Sequence, residues 1–333
     1  MTESLQTIAQ QLLADHKGLL AADESETTAG KRLATIGLEN TVENRRQYRN
    51  LFFTAPGIEQ GISGIILHHE TMGQSASDGT PFVQVLQSKG IIPGIKVDGG
   101  VEPLEGSPEE KMTIGLHGLD ARLADYYTRG ARFAKWRAVI TIGQNIPTDN
   151  CLLENAKALA EYAFLCQKKG IVPVVEPEVL IDGSHDLDMS EVVTTKTLRV
   201  LFQELTTRGV DLTGVILKSS MVISGNQCPT QATPEEIAEA TIRCFTNAVP
   251  KEVPGIVFLS GGQSAMQATV NLNAIAKVNT GPWTISFSYA RALQGPALEI
   301  WKGKTENIPA AQAEFIKRLQ QNVAANQGKY LGE

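Results

Sequence analysis

The sequence predicts an α/β fold, a single (β/α)8 TIM barrel with extra helices at its N- and C-terminal ends. Two observations predict it: eight short apolar segments have the character of buried strands, and helical patterns separate them. The segments recur roughly every 28 to 43 residues, a spacing typical of parallel strands joined by helices. We see no Pro/Ser-rich linker, low-complexity stretch or internal repeat, so we expect one domain over residues 1–333.

The predicted strands are rich in β-branched residues, and most begin at or just after Gly or Pro, residues that punctuate secondary structure. They cover residues 18–23, 61–68, 91–98, 133–142, 171–180, 214–220, 255–262 and 283–289. Helical patterns cover residues 109–130, 152–170, 190–209, 233–248 and 264–278, with an amphipathic helix within residues 1–18 and two more near 296–301 and 310–326. Eight such units fit a TIM barrel. A doubly wound open sheet remains the alternative, although no GxGxxG motif follows the first strand.

The bulk composition narrows the class of protein. The formal net charge of −6 argues against nucleic acid or an anionic membrane as a partner, and no run of 18 apolar residues predicts a membrane span. The four cysteines show no CxxC spacing, which is typical of reduced, buried thiols in a cytoplasmic protein. We expect that localisation, with a transit peptide absent or removed.

Metal chemistry finds little support in the sequence. The five histidines form no HxH or HxxxH spacing, and His68 and His69 are adjacent on a strand, so they face opposite sides. Each is more simply a structural residue. A GxSxG elbow for a serine hydrolase is also missing. We therefore expect no metal and no cofactor.

Charged side chains stand toward the carboxyl ends of several predicted strands, where barrel enzymes keep their active sites. They are Asp23, Lys96, Lys135, Arg137, Glu176, Glu178, Lys218 and, just past the eighth strand, Arg291. Because side chains alternate along a strand, Lys135 and Arg137 share one face, as do Glu176 and Glu178. The same alternation puts Lys96 on one face with Asp98, and Ser260 on one face with Phe258. Any one of these charges alone is better explained as a structural ion pair, but the set together predicts a catalytic cluster.

This cluster suits imine chemistry on an anionic substrate. Lys218 lies in an apolar strand, and burial together with cationic neighbours such as Lys135 and Lys96 favours the neutral, nucleophilic form of an amine. Glu176 or Glu178 beside it would provide acid–base catalysis. A lysine merely paired with a glutamate remains the alternative.

A phosphate site is predicted after the seventh strand. Residues 258–264 (FLSGGQS) are typical of a strand end, a double glycine and the start of a helix. The N-terminus of a helix binds anions through its free backbone N–H groups. Barrels often bind phosphate in the loops after strands seven and eight, the second of which contains Arg291. Ser25 and the Lys31-Arg32 pair could serve a second phosphate, or form only a basic helix face.

At this point the motifs resemble those of a known family, the class I, imine-forming fructose-1,6-bisphosphate aldolases. The matching segments run in order from about residue 10 to residue 330: 20–25 (LAADES), 94–98 (GIKVD), 133–137 (FAKWR), 171–178 (IVPVVEPE), 217–221 (LKSSM), 258–264 (FLSGGQS), 288–293 (SYARAL) and 327–330 (QGKY).

The resemblance implies a role for each matching residue. Lys218 occupies the position of the imine-forming lysine, Glu176 that of the acid–base acting on the C4 hydroxyl, and Glu178 that of its supporting carboxylate. Lys135 matches the lysine that assists carbinolamine formation, and Asp23 an aspartate that hydrogen-bonds the substrate. The C1-phosphate site would comprise Ser260, Gly261, Gly262 and Arg291, and substrate and second-phosphate recognition would involve Ser25, Lys96 and Arg137.

The resemblance also implies metal-independent, reversible cleavage of fructose 1,6-bisphosphate to dihydroxyacetone phosphate and glyceraldehyde 3-phosphate, and a homotetramer. Three positions depart from the family pattern. Ala290 stands where many relatives have Gly, and Gly99 replaces a lysine of animal enzymes. The sequence ends at Glu333, whereas many relatives continue to a tail tyrosine that helps enamine proton exchange. We expect another group or water to serve here, and not Tyr330.

Two rival functions remain at this stage. Another imine-forming barrel, such as a transaldolase-like enzyme or an aldolase that prefers fructose 1-phosphate, would use similar residues. A degenerate barrel that only scaffolds partners would keep the fold without turnover, although the intact set of Asp23, Lys135, Glu176 and Lys218 argues against it.

Overall fold

A closed barrel of parallel strands forms the centre of the molecule. The structure is a computed structural model that describes residues 3–332. Its strands are β1 (Gly18–Ala22), β2 (Ile62–Leu67), β3 (Ile92–Lys96), β4 (Val101–Leu104), β5 (Ser107–Thr113), β6 (Phe133–Ile140), β7 (Val172–Val179), β8 (Ile216–Ser219), β9 (Gly255–Phe258) and β10 (Thr284–Tyr289). The barrel closes in the order β1-β10-β9-β8-β7-β6-β3-β2, whereas β4 and β5 form a separate hairpin. The TIM-barrel prediction is confirmed, and the open-sheet alternative is excluded.

Helices surround the barrel and follow its strands. They are α1 (Leu5–Leu12), α2 (Glu26–Ala34), α3 (Val42–Phe53), α4 (His69–Met72), α5 (Phe82–Ser88), α6 (Leu119–Thr128), α7 (Asp149–Lys168), α8 (Leu187–Thr207), α9 (Pro234–Ala248), α10 (Ala265–Val278), α11 (Arg291–Trp301) and α12 (Ile308–Asn326). Capping boxes at Thr233 and Ser264 fix where α9 and α10 begin. Within residues 3–332, no helix has the length and apolar character needed to cross a membrane.

The predicted helix over residues 109–130 is wrong in its first half. That stretch pairs as the antiparallel hairpin β4–β5, whose tight turn contains Gly106 at a φ of 80°. The buried carboxylate of Glu110 accepts hydrogen bonds from the backbone N–H of Thr148 (2.7 Å) and from its hydroxyl (2.6 Å), which ties the hairpin to the start of α7. Gly115 and Gly118 adopt positive φ, so a helix begins only after them, with α6.

The barrel interior is an apolar core closed at its amino-terminal end by α1. The core residues of this interior cluster are Ile8, Ala9, Leu12, Leu13, Leu19, Ala21, Ile66, Phe133, Val172, Val174, Ile216 and Val257. Val172 and Val174 point inward, as the alternation along β7 predicts. Leu12 lies so close to β2 that a Cβ added at Gly64 would be 2.6 Å from its Cδ2 atom. A second core fills the space between the strands and the outer helices.

Replacing Leu12 by alanine tests whether α1 supports the barrel. Leu12 is fully buried, so Leu12→Ala should reduce the free energy of unfolding by about 2–5 kcal/mol through lost burial and a cavity. Urea unfolding followed by circular dichroism at one protein concentration measures this. Gln10→Ala, an exposed position on the same helix, is the control. Equal urea midpoints for Leu12→Ala and the unsubstituted protein would contradict the stated role of α1.

Candidate active site

A cavity of about 500 Å³ opens at the carboxyl ends of the barrel strands. Every residue to which the family resemblance gives a role lines this cavity: Asp23, Ser25, Lys96, Lys135, Arg137, Glu176, Glu178, Lys218, Ser260, Gly261, Gly262 and Arg291. These residues come from segments up to 268 positions apart, from Asp23 to Arg291, and the closure of the barrel brings them together. The charged strand ends therefore form one cluster.

A glutamate between two lysines occupies the centre of this cluster. The Nζ atom of Lys218 lies 3.0 Å from Oε1 of Glu176, and the Nζ atom of Lys135 lies 3.1 Å from Oε2 of the same carboxylate. Lys135 also contacts Oδ2 of Asp23 at 2.7 Å. The side chain of Lys218 is only 4% exposed, so its amine is buried at the end of β8.

Strand register explains why these side chains meet. On adjacent strands Lys135 pairs with Val174 and Arg137 with Glu176, so the charged residues of β6 and β7 interleave on the inward face. Glu178 lies two residues beyond Glu176 and forms an ion pair with the guanidinium of Arg137. The acidic and basic side chains thus compensate one another inside the barrel, as buried charges require.

Asp98 belongs to the site, although the sequence analysis did not include it among the site residues. Its carboxylate lies 2.5 Å from Nζ of Lys96 and 3.9 Å from Nζ of Lys135, two lysines that pair directly across β3 and β6. Like charges placed opposite each other on neighbouring strands repel, and Asp98 offsets that repulsion. Its shared strand face with Lys96 was the available signal.

The two glutamates of β7 have pKa values shifted in opposite directions. Burial would raise the pKa of Glu176, but the ammonium groups of Lys135 and Lys218 outweigh it and lower the pKa. Burial raises the pKa of Glu178, and the guanidinium of Arg137 offsets this only in part. Two carboxylates whose pKa values are shifted in opposite directions are suited to different proton-transfer roles.

Lys135 and Asp23 are held in their charged forms. Burial would lower the pKa of Lys135, yet the carboxylates of Asp23, Glu176 and Asp98 raise it overall. Burial would likewise raise the pKa of Asp23, but the ammonium groups of Lys135 and Lys218 lower it. At neutral pH the site therefore contains a cation and an anion beside Lys218.

The glycine pair after β9 forms a turn suited to anion binding. Gly261 and Gly262 adopt positive φ angles of 47° and 87°, and a Cβ added at either would lie within 2.8 Å of a neighbouring side chain. Within residues 3–332 no hydrogen bond engages their backbone N–H groups. The predicted common face of Ser260 and Phe258 is wrong, because β9 ends at Phe258, whose ring stacks outside the barrel on Phe245.

The cavity wall contains further residues that the predicted site set omits. Of the Lys31-Arg32 pair, Arg32 lines the cavity and Lys31 does not. The hydroxyl of Ser288 is buried and lacks a hydrogen-bond partner within the described chain, so it is available to a ligand. The remaining lining residues are Ala21, Glu24, Thr28, Asp98, Gly100, Val101, Val139, Leu259 and Ala290.

His68, His69 and Tyr330 make structural contacts. The ring of His68 accepts a hydrogen bond from the N–H of Glu70, and His69 lies 3.0 Å from the hydroxyl of Tyr126. Among residues 3–332 no group of His, Cys, Asp and Glu is arranged to hold a metal ion. Tyr330 does not line the cavity, and its N–H donates to Asn273 of α10.

Comparison with known proteins identifies the family. The model of the glycolytic, class-I fructose-bisphosphate aldolases matches residues 4–333. The chain belongs to the class-I fructose-bisphosphate aldolase family. It is 52% identical over 331 residues to a probable fructose-bisphosphate aldolase class 1 of Xanthomonas axonopodis pv. citri, covering 99% of both chains. It is 53% identical to the fructose-bisphosphate aldolase of Drosophila melanogaster, covering 99% of this chain and 92% of the relative.

The aldolase family is also evident in the fold. The aldolase of Plasmodium falciparum, solved in complex with TRAP and a small-molecule inhibitor, superimposes with a TM-score of 0.97 at 46% identity, covering 99% of this chain and 95% of that one. The predictions of family, barrel fold and lyase activity are confirmed. The reaction is thus that of a class I aldolase, the reversible cleavage of fructose 1,6-bisphosphate through a lysine imine.

The lowered pKa of Asp23 predicts a pH-dependent contribution to stability. Because its folded-state pKa lies below the unfolded value near 3.9, the ionised group stabilises the fold above about pH 4, and this contribution is lost as the pH falls. In Asp23→Asn, the decrease in the free energy of unfolding from pH 6 to pH 3 should be smaller by about 1 kcal/mol. Urea unfolding at each pH measures it. Parallel pH profiles for the two proteins would contradict the burial of an ionised Asp23.

Proposed function

We propose that Lys218 is the residue of this aldolase that forms the imine with the C2 ketone of the substrate. The observation that supports this most directly is its amine, buried at a strand end and 3.0 Å from Glu176. Attack on the ketone gives a carbinolamine, and loss of water then gives a cationic iminium. Glu176 takes the proton that Lys218 must lose before it attacks and returns it to the departing hydroxyl, while Lys135 stays an ammonium beside this carboxylate and Asp23 hydrogen-bonds the substrate.

The same proposal assigns carbon–carbon cleavage to Glu176. Its carboxylate removes the proton of the C4 hydroxyl, the C3–C4 bond breaks, and the electron pair moves into the iminium to form a neutral enamine. Glyceraldehyde 3-phosphate leaves, and protonation and hydrolysis of the enamine release dihydroxyacetone phosphate. Glu178, which has a raised pKa and is paired with Arg137, supports Glu176 in this exchange. The iminium is the electron sink, the role that a metal has in metal-dependent enzymes.

The phosphates of the substrate are assigned to opposite parts of the cavity wall. The C1 phosphate binds the N–H groups of the glycine turn, Ser260 and Arg291, because the turn offers donors without internal partners. Ser25, Lys96 and Arg137 contribute to recognition of the sugar and of the second phosphate. This local group of cations attracts an anion in spite of the net charge of −6.

Borohydride trapping tests the imine directly. Reduction of the enzyme with dihydroxyacetone phosphate should leave a stable adduct on Lys218, found by peptide mass mapping. Lys218→Arg, which keeps the positive charge, should give no adduct. The reaction is run in EDTA, where trapping should persist if the mechanism is metal-independent. An adduct on another lysine would overturn the assignment of Lys218, and loss of trapping in EDTA would overturn the metal-independent mechanism.

We also propose that residues 1–333 form one domain and that four chains assemble into a homotetramer. Met189 and Val192, which are 48% and 63% exposed, lie one turn apart on α8 and would be covered by a neighbouring subunit. The cytoplasmic location remains a prediction.

Light scattering on the intact protein tests the assembly. The expected mass is about four times the 35.9 kDa of one chain. Val192→Glu would place a charge in the proposed contact and should reduce the mass, whereas Glu235→Gln, at an exposed position of α9, should not. A mass of one chain at micromolar concentration would contradict the tetramer.

A further inference from the structure

A buried polar cluster lies behind the cavity wall beside β1, and the mechanism above leaves it without a role. Its members are Glu24, Arg32, Tyr48, Arg49 and Gln294, and two of them, Glu24 and Arg32, reach the cavity. Tyr48 and Gln294 are 0% and 1% exposed. Buried polar groups must satisfy one another through hydrogen bonds, as these do, and a cluster of this size beside the cavity needs an explanation.

Arg32 is held through only one of its nitrogens. Its Nη1 atom donates to the hydroxyl of Tyr48 (3.1 Å) and to Oε1 of Gln294 (2.8 Å), and it pairs with the carboxylate of Glu24. Within the part of the chain that the structure describes, Nε and Nη2 have no protein partner. Those two atoms form the side edge of the guanidinium, which binds phosphate or carboxylate oxygens in a bidentate manner.

The charge of the cluster favours an anion at that free edge. Glu24 is shared between Arg32 and Arg49, and Arg49 is only 2% exposed. One carboxylate with two guanidinium groups leaves a net charge of one positive unit beside the cavity. Burial raises the pKa of Tyr48, with the negative charge of Glu24 adding to it, so the phenol stays neutral. Glu24 therefore orients Arg32 without cancelling its charge.

Two different elements fix the direction of Arg32. Tyr48 belongs to α3, whereas Gln294 belongs to α11, one turn after Arg291. The Gln294 amide directs its oxygen to Arg32, and its Nε2 atom has no partner among the described residues. The Tyr48 hydroxyl lies 3.0 Å from the same oxygen and 3.2 Å from Glu24. Residues of α3 and α11 thus set the orientation of one guanidinium of α2.

We propose that Tyr48 and Gln294 are positioning residues that direct the free edge of Arg32 at the second phosphate of the sugar. They thereby set the preference of the enzyme for a ketose bisphosphate over a ketose 1-phosphate. The proposal rests on the imine mechanism and on the placement of the C1 phosphate at the glycine turn. Neither residue touches the substrate, and both act through Arg32.

The test compares two sugars in a set of matched variants. Tyr48→Phe removes only the hydroxyl, Arg32→Lys keeps the charge but removes the bidentate edge, and the double variant combines the two changes. Tyr126→Phe, a buried tyrosine outside the cavity, is the control for loss of a phenol. Gln294→Met replaces Tyr48→Phe if the latter does not fold. For each protein, kcat and KM are measured with fructose 1,6-bisphosphate and with fructose 1-phosphate.

In Tyr48→Phe, KM for the bisphosphate should rise about tenfold, with kcat nearly unchanged. The substitution removes the acceptor that orients Arg32, and the hydrogen bonds from Arg32 to the second phosphate are therefore weakened. KM for fructose 1-phosphate should change by less than about twofold. The double variant should discriminate between the sugars no worse than Arg32→Lys alone, since Tyr48 acts through Arg32. Tyr126→Phe should leave both sugars unaffected.

Equal losses on the two sugars would overturn the proposal, as would losses that multiply in the double variant. Borohydride trapping with dihydroxyacetone phosphate, which lacks the second phosphate, separates this failure from that of the imine mechanism. Trapping on Lys218 should persist in Tyr48→Phe, and its loss in that variant alone would overturn the positioning role. Its loss in the unsubstituted enzyme would instead reject the imine mechanism.

Discussion

The site depends on one buried carboxylate that faces two ammonium groups. Glu176 contacts Lys218 with one oxygen and Lys135 with the other, inside a barrel whose apolar side chains exclude bulk water. In such surroundings an unpaired charge is expensive, so each member of the group requires its partners. The same requirement explains why the carboxylates of Asp23 and Asp98 lie close to the ammonium group of Lys135. The proposed catalytic geometry and the satisfaction of buried charge are therefore achieved by one arrangement.

Much of the fold follows from the sequence, because parallel strands buried on both faces read as continuous apolar runs. The eight barrel strands lie within the predicted segments, with ends that differ by a few residues at most. The hairpin at residues 101–113 was missed, since its charged residues resemble a helical surface and its pairing depends on a glycine turn and on Glu110. The helices α2, α3, α4 and α5 were not predicted individually: α2, α4 and α5 are short, and α3 buries Arg45 and Arg49 on its inner face.

The site was predictable where charge interrupts an apolar strand. Lys135, Glu176 and Lys218 are conspicuous for that reason, and the closed barrel then forces them together. Arg32, Tyr48 and Gln294 lie on helices, where a polar residue is ordinary. The pairing with Lys31 was a weak signal for Arg32, and Tyr48 and Gln294 gave none. Ser288 sits in a strand, but a small hydroxyl is common there. Their contribution depends on which direction a helix face takes in three dimensions, information that spacing along the chain does not contain.

The closure of the barrel by α1 has a consequence for substrate entry and product release. Because Leu12 and its neighbours fill the amino-terminal end of the barrel, the active-site cavity opens at the carboxyl ends of the strands. The sugar must enter, and the water expelled during dehydration and both trioses must depart, through the same opening. Because the ketone fragment stays bonded to the lysine until the enamine is protonated and hydrolysed, the aldehyde leaves first and the ketone last.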